Sequence, residues 1–500
     1  MLNDLDLDRK LGKEAWKAAK DEYEVRLGML QRQAKEHGIP IIIVFEGLDA
    51  AGKGTLINNL ILPLDPRGYT VYSTQQPSTA ESLRPFLWRF WCQTPAKGRM
   101  TIFDRSWYQR ILNARVEEDA CDESLHADFR DIKAFERQLA DDGAIIIKFW
   151  LHITKDVQKK RFKKLLENKA TAWRVCKDDR RRHKAYDAYI SAAEDAIART
   201  DSDYAPWTIV EAHDQRFATV KIITTLMTVL EQRLNEIAGD THSHVQLQVD
   251  RTIPDNLHSS LLDKVDLSLK LERDDYKKQL KRKQALLHDL EHELYMRRIP
   301  VVLVYEGWDA AGKGGNIRRL VRELDPRGYE VVPIAAPNDI ELKHHYLWRF
   351  WTQMPKGGHI TIFDRSWYGR VLVERVEGFC SAEEWQRAYR EINEMEAHLA
   401  GFDTIVLKFW LHIDKEEQLD RFKARQVTEH KQWKITDEDW RNREKWDQYH
   451  TAVDDMLLRT SSPHAPWIIV ESNDKLHARI KVIDTVIAAI QAKLKTVDSR

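Results

Sequence analysis

Two short apolar runs rich in β-branched residues, Ile41–Phe45 and Val301–Tyr305, occupy matching places in the two halves of the chain. Each follows a long charge-rich stretch, 8–36 and 270–297, that reads as a helix ended by Pro40 or Pro300. Neither run alternates apolar with polar residues, so both predict strands buried on two faces, as in a parallel sheet. Similar runs recur at 101–103 and 361–363, 145–151 and 405–411, and 207–210 and 467–470. Asp-Pro-Arg-Gly-Tyr at 65–69 and 325–329 predicts a turn opening a further strand in each half. Helical patterns lie between them. Strand and helix in alternation predict an α/β fold, each half a mainly parallel sheet between helices.

The pattern is doubled because the sequence is. Glu46-Gly47-Leu48-Asp49-Ala50-Ala51-Gly52-Lys53-Gly54 returns as Glu306-Gly307-Trp308-Asp309-Ala310-Ala311-Gly312-Lys313-Gly314, an offset of 313 − 53 = 260 residues. The same offset relates Asp104 to Asp364, Arg161 to Arg421, Pro206 to Pro466 and Asp214 to Asp474. A period this long is a whole domain rather than a solenoid repeat. Two tandem domains are expected at 1–237 and 263–500, joined by a linker at 238–262 that contains Pro254 and breaks the pattern.

A glycine loop between a strand and a helix directs backbone N–H groups and the positive helix end at a phosphate. Gly307, Gly312, Gly314 and Gly315 are the candidate cradle, and Lys313 supplies a charge for the transferred group. A Walker A motif has Ser or Thr after its lysine to hold Mg²⁺, and here Gly314 and Gly54 stand in that place. Asp309 and Asp364, the latter at a strand tip, are the candidate metal ligands instead.

Three basic groups accompany the loop. Arg365, Arg370 and Arg375 follow Asp364, and two readings compete for the last two: phosphate neutralisation, or ion pairs with Glu374 and Glu377. Arg421 and Arg425 fall on one helix face at i and i+4, and with Lys423, Trp433-Lys434, Arg441 and Arg443 they suggest a mobile helical lid carrying cations over an anion. For Lys423 a solvated helix face is an equal reading. Arg318, Arg319, Arg322 and Arg327 form either a track for an extended anion or charge spaced for solubility. The repeated Leu-Trp-Arg-Phe-Trp and Lys-Phe-Trp-Leu-His segments, with His152 and His412, read as packing rather than base-stacking or metal sites.

Composition narrows the partners. Lys plus Arg equals Asp plus Glu at 79 each, and this balance argues against non-specific nucleic-acid or membrane-surface binding. Residues 1–30 carry no signal-peptide core, and no segment resembles a membrane span. Cys92, Cys121, Cys176 and Cys380 show no ligand or redox spacing and suggest reduced packing residues in a cytoplasmic protein.

Taken together, Gly-x-Asp-Ala-Ala-Gly-Lys-Gly, Leu-Trp-Arg-Phe-Trp, Ile-Phe-Asp-Arg-Ser-Trp-Tyr, Lys-Phe-Trp-Leu-His-Ile, Gln-x-x-Arg-Phe and Ala-Pro-Trp resemble the polyphosphate kinase 2 family across nearly all of both repeats. The fused pair looks like its two-domain polyphosphate:AMP phosphotransferase subgroup. The resemblance implies a P-loop kinase fold with a helical lid, transfer from inorganic polyphosphate to AMP giving ADP, Mg²⁺ dependence and a cytoplasmic setting; a homo-oligomer is compatible with it. A polyphosphate-dependent ADP kinase, an ATP-dependent nucleoside-monophosphate kinase like the thymidylate kinases, and a nucleotide- or polyphosphate-binding regulator are the rival readings.

The copies differ. Gly315, Arg318, Arg319, Glu374, Arg425, Lys434 and Arg443 correspond to Thr55, Asn58, Asn59, Ala114, Leu165, Arg174 and His183. Asp49, Gly52, Lys53, Gly54, Asp104 and Arg105 survive in the first copy, so phosphate binding is expected to persist there. Turnover is expected from the second copy, with the first weakened to a structural or polyphosphate-holding role.

Overall fold

The structure is a computed structural model that describes residues 2–117, 122–239, 260–429, 432 and 435–499. Two compact units divide the chain: Met1–Pro77, Phe86–His244 and Asn338–Trp348 in one, and Ser78–Pro85, Val245–Pro337 and Arg349–Arg500 in the other. The division at 244/245 falls inside the expected linker, most of which lies outside the described residues. The expected boundaries place 78–85 and 338–348 each in the other unit.

In the first unit the strands are β1 (Ile41–Gly47), β2 (Tyr69–Ser73), β3 (Met100–Asp104), β4 (Ile145–His152) and β5 (Trp207–Glu211), in the order β2-β3-β1-β4-β5. The second unit repeats this as β6 (Val301–Gly307), β7 (Tyr329–Pro333), β8 (Ile360–Asp364), β9 (Ile405–His412) and β10 (Trp467–Glu471), ordered β7-β8-β6-β9-β10. Every pairing is parallel. Burial follows position. The central strands β1 and β4 are buried along their whole length, whereas β2 and β7 at the edge are half open. This explains why the central strands lack alternation in the sequence. Helices flank each sheet; the long helices Lys13–Glu36 and Gln215–Ala238 pack together in one unit, and Arg273–Arg297 and Lys475–Asp498 in the other.

The first helix of each unit stops before its proline. Gly38 and Arg298 adopt left-handed backbone at φ +66° and +56°, and that turn rather than Pro40 or Pro300 redirects the chain into β1 and β6. Phe90, Trp91, Phe149, Trp150 and their repeats Phe350, Trp351, Phe409 and Trp410 are buried, as their packing role requires. Cys92 and Cys380 are half-buried, but Cys176 is exposed where a helix begins and so is not a packing residue; Cys121 lies outside the described residues.

Candidate active site

In the second unit, β6 and β8 run side by side with Tyr305 opposite Asp364, so the glycine loop and Asp364 leave the sheet at one edge. The loop crowds its neighbour. Gly307 has φ +148°, and a Cβ there would stand 2.5 Å from the Leu411 carbonyl oxygen of β9. Ala310 and Gly312 are left-handed at +64° and +108°, and Gly312 then caps the helix Lys313–Leu320.

Lys313 donates from Nζ to the carbonyls of Gly307 at 2.7 Å and Trp308 at 3.3 Å, folded back over its own loop. Burial lowers its pKa, and Arg365 adds to this, against the opposing pull of Asp309, Asp364 and Glu306. Asp309 accepts from Arg365 Nη2 and from Asn442 Nδ2, each at 3.0 Å. Burial would raise its pKa, but Lys313, Arg365, Asn442 and Arg425 outweigh that and hold the carboxyl below its ordinary value. Arg365 reaches Asp309 from a left-handed backbone at φ +66°, a strained conformation for a side chain with a Cβ; the first unit repeats it at Arg105, φ +62°. Lys313, Asp309, Asp364, Arg365 and the four glycines therefore converge, as the sequence predicts.

Asp309 and Asp364 suit a divalent ion. Each carboxylate oxygen of Asp309 accepts one hydrogen bond and keeps a further lone pair. A Cβ on Gly314 would lie 3.9 Å from Asp364 Oδ2, so this carboxylate stands beside the position where a Walker A hydroxyl would project. Among the described residues no three His, Cys, Asp or Glu side chains form a metal cage. Two carboxylates completed by substrate phosphates and water is the usual manner of Mg²⁺.

Arg421 corrects the reading of it as a cation held over substrate. Its Nη1 donates to Ala310 and Ala311 carbonyls at 2.9 and 3.0 Å, its Nη2 to Ser472 and Asn473 carbonyls at 2.6 and 3.0 Å, and its Nε to Glu417 at 2.5 Å. All five guanidinium hydrogens are engaged, leaving none for a phosphate. Gln418 helps by donating to the Asp309 carbonyl at 3.1 Å. The Gln-x-x-Arg pair is thus a brace behind the loop, and Gln158 and Arg161 repeat it.

Other predicted cations also have structural employment. Arg375 pairs with Asp455 at 2.8 Å, donates to Tyr389 Oη at 3.0 Å and lies over the Trp385 ring, because the turn Trp367–Val371 carries the chain away from Asp364. Arg370 sits 3.0 Å from Glu374 and 3.5 Å from Glu384, and Arg441 lies 3.4 Å from Glu377. The ion-pair alternative thus describes Arg370 and Arg375, the latter with Asp455 rather than Glu374 or Glu377, and Arg441, expected on the lid, is paired as well. Arg443 donates to the Lys415 carbonyl and to Gln418, holding two helices together. Arg327 closes its own turn on Asp325, Arg319 donates to the Gly315 carbonyl, and Arg318, Arg322 and Lys423 are exposed. Trp433 and Lys434 lie outside the described residues.

Arg425 does reach the loop. With Lys475 and Arg479 it lines a cavity of about 280 Å³ beside Ala311, Gly312 and Gly315. Sequence reasoning missed Lys475 and Arg479, and the signal was their loss at Gln215 and Thr219 in the first repeat. It also missed Asn442 and the buried Glu306, which accepts from Ser366 Oγ at 2.8 Å and ties the loop strand to β8's turn. Trp308 stacks on Trp446 at 3.8 Å and donates to His412 Nδ1, giving His412 the structural role expected of it.

In the first unit Lys53 likewise donates to the Gly47 and Leu48 carbonyls, and Gly52 caps its helix. Asp49 meets Arg105 and also Arg182, at 2.7 Å to Arg182 Nε. Gly54 differs from Gly314 in having nothing within 4 Å of a built Cβ, Asp104 included.

The family model for polyphosphate kinase 2 matches residues 10–237 and again 270–498. A polyphosphate:AMP phosphotransferase of Pseudomonas aeruginosa is 43% identical over 99% of both chains. An ADP-polyphosphate phosphotransferase of the same organism is 41% identical over 43% of this chain and 70% of its own length. The crystal structure of a polyphosphate kinase 2 from Pseudomonas aeruginosa PA01 superposes with a TM-score of 0.87 at 42% identity, covering 99% of this chain and 100% of that one. Two parallel five-stranded sheets, each with a braced glycine loop and a partnered aspartate, together with these likenesses, place the chain in the polyphosphate kinase 2 family.

Proposed function

We propose that the chain transfers a phosphoryl group from inorganic polyphosphate to AMP, giving ADP, in its second unit. The observation carrying this reading is the convergence of Lys313, Asp309, Asp364 and Arg365 at one sheet edge, beside a cavity lined by Arg425, Lys475 and Arg479. Likeness to a polyphosphate:AMP phosphotransferase over both repeats supports AMP as acceptor.

The acceptor is a phosphate oxygen already ionised at neutral pH, so no strong general base is needed. The work of the protein is positioning and charge neutralisation. Loop N–H groups and Lys313 hold the oxygens of the group in flight. Arg365, set by its strained backbone, and Arg425 offset charge that builds on the bridging and leaving oxygens. Arg421 and Gln418 position the loop without touching substrate. Mg²⁺ held by Asp309 and Asp364 would neutralise phosphate charge and orient the oxygens it binds.

The experiment is ADP formation from AMP, polyphosphate and MgCl₂, followed by ³¹P NMR and repeated with ADP, or with ATP in place of polyphosphate. ADP production that requires polyphosphate supports the reading. Turnover with ATP alone would favour an ordinary nucleoside-monophosphate kinase, and no turnover with any pair would favour a binding protein.

A further inference from the structure

The two units face the same loop aspartate with different partners. Asn442, on the helix Asp437–Glu444, offers Asp309 a neutral amide. At the matching position of the helix Lys177–Lys184 stands Arg182. Its Nε donates to Asp49 Oδ2 at 2.7 Å, and its Nη2 to Asp179 Oδ1 at 2.7 Å, while Arg105 holds Asp49 Oδ1. Arg182 is clamped between two carboxylates with its side chain only 11% exposed.

Guanidinium and a divalent ion compete for the same carboxylate oxygens. A cation brought to Asp49 would enter beside two fixed guanidinium groups and Lys53, against their combined repulsion. At Asp309 the donor on Oδ2 is a neutral amide, which a metal can displace without expelling a fixed positive charge, while Arg425 acts on this carboxylate from the cavity wall. Both oxygens of Asp49 are thus taken by guanidinium groups, Oδ1 by Arg105 and Oδ2 by Arg182, whereas only Oδ1 of Asp309 is.

From this arrangement we infer that Arg182 stands in the place of the metal: the first glycine loop takes no divalent cation, and the identity of residue 182 or 442 decides whether a loop does. The inference rests on the reading of Asp309 as a metal ligand. It makes the first loop a metal-independent phosphate cradle in a chain whose second loop is metal-dependent.

Mn²⁺ alone is the probe, counted by loss of its free EPR signal on the full-length chain. The Asp49→Asn/Asp309→Asn double variant sets the baseline for ions bound elsewhere. One ion above baseline is expected for the wild type, two for Arg182→Asn and none for Asn442→Arg. Circular dichroism reports whether each variant folds, and should Arg182→Asn unfold, Asn442→Arg alone still tests the exchange. Two ions in the wild type, one in folded Arg182→Asn, or one retained in Asn442→Arg would each overturn the inference. None in any protein would overturn the metal reading of Asp309 itself and the inference with it.

Discussion

At the scale of single residues, charge alone does not say what an arginine does; the count of its engaged donors does. Arg421 and Arg425 are one helical turn apart, yet the first spends every hydrogen on carbonyls and Glu417 while the second lines the cavity. Removing a buried, fully bonded guanidinium leaves carbonyls unsatisfied. Arg421→Met is therefore expected to cost on the order of 3 kcal/mol in stability, visible as a lower Tm together with lower activity. Arg425→Ala, at the half-buried cavity wall, should lower activity with a smaller loss of Tm than Arg421→Met. A Tm loss in Arg425→Ala equal to that in Arg421→Met would refute the distinction. Lys313→Ala is expected to reduce kcat by roughly a hundredfold or more, with Lys53→Ala well below that; equal losses would remove the asymmetry between the repeats.

At the scale of elements, much was legible because each strand is short, apolar and set against a loop of fixed chemistry. β1, β4, β6 and β9 and both glycine loops stand where the patterning put them. Ion-pair closure was less legible. Arg375 finds Asp455 eighty residues away, and Asp309 finds Asn442 across 133, distances that no local pattern encodes. Lys475 and Arg479 lie in the first two turns of a long helix, and only the fold sets that end of it beside Gly312. The buried ends of β4 and β9 also set an acid limit. Burial pushes both His152 and His412 down to about 4, with His213 adding to the shift at the first and His450 at the second. The unfolded chain then binds more protons than the folded one between about pH 6.5 and pH 4, so stability is complete above that window and falls as pH drops through it. Tm measured at pH 7 and pH 5 should show this decline, and His152→Leu should shallow it; an unchanged slope would exclude His152 as a source.

At the scale of the whole molecule, duplication has left one architecture with two electrostatic settings. Arg425, Lys475 and Arg479 answer to Leu165, Gln215 and Thr219, and Asn442 answers to Arg182. The basic cavity wall and the neutral partner of the loop aspartate occur in the same unit. If that wall holds an anionic chain, Lys475→Ala/Arg479→Ala should raise KM for polyphosphate several-fold, leave KM for AMP little changed, and weaken the dependence of KM on NaCl. Equal effects on both substrates would place these residues elsewhere in the cycle.

The brace behind the second glycine loop has a thermodynamic corollary. Arg421 fastens Ala310 and Ala311 to Ser472 and Asn473, so the segment is tied at its back before any ligand arrives. Little conformational freedom is left there to surrender on association. Binding enthalpy at this loop can therefore be spent on the reacting group, and backbone order parameters at 310–313 should already be high in the free protein.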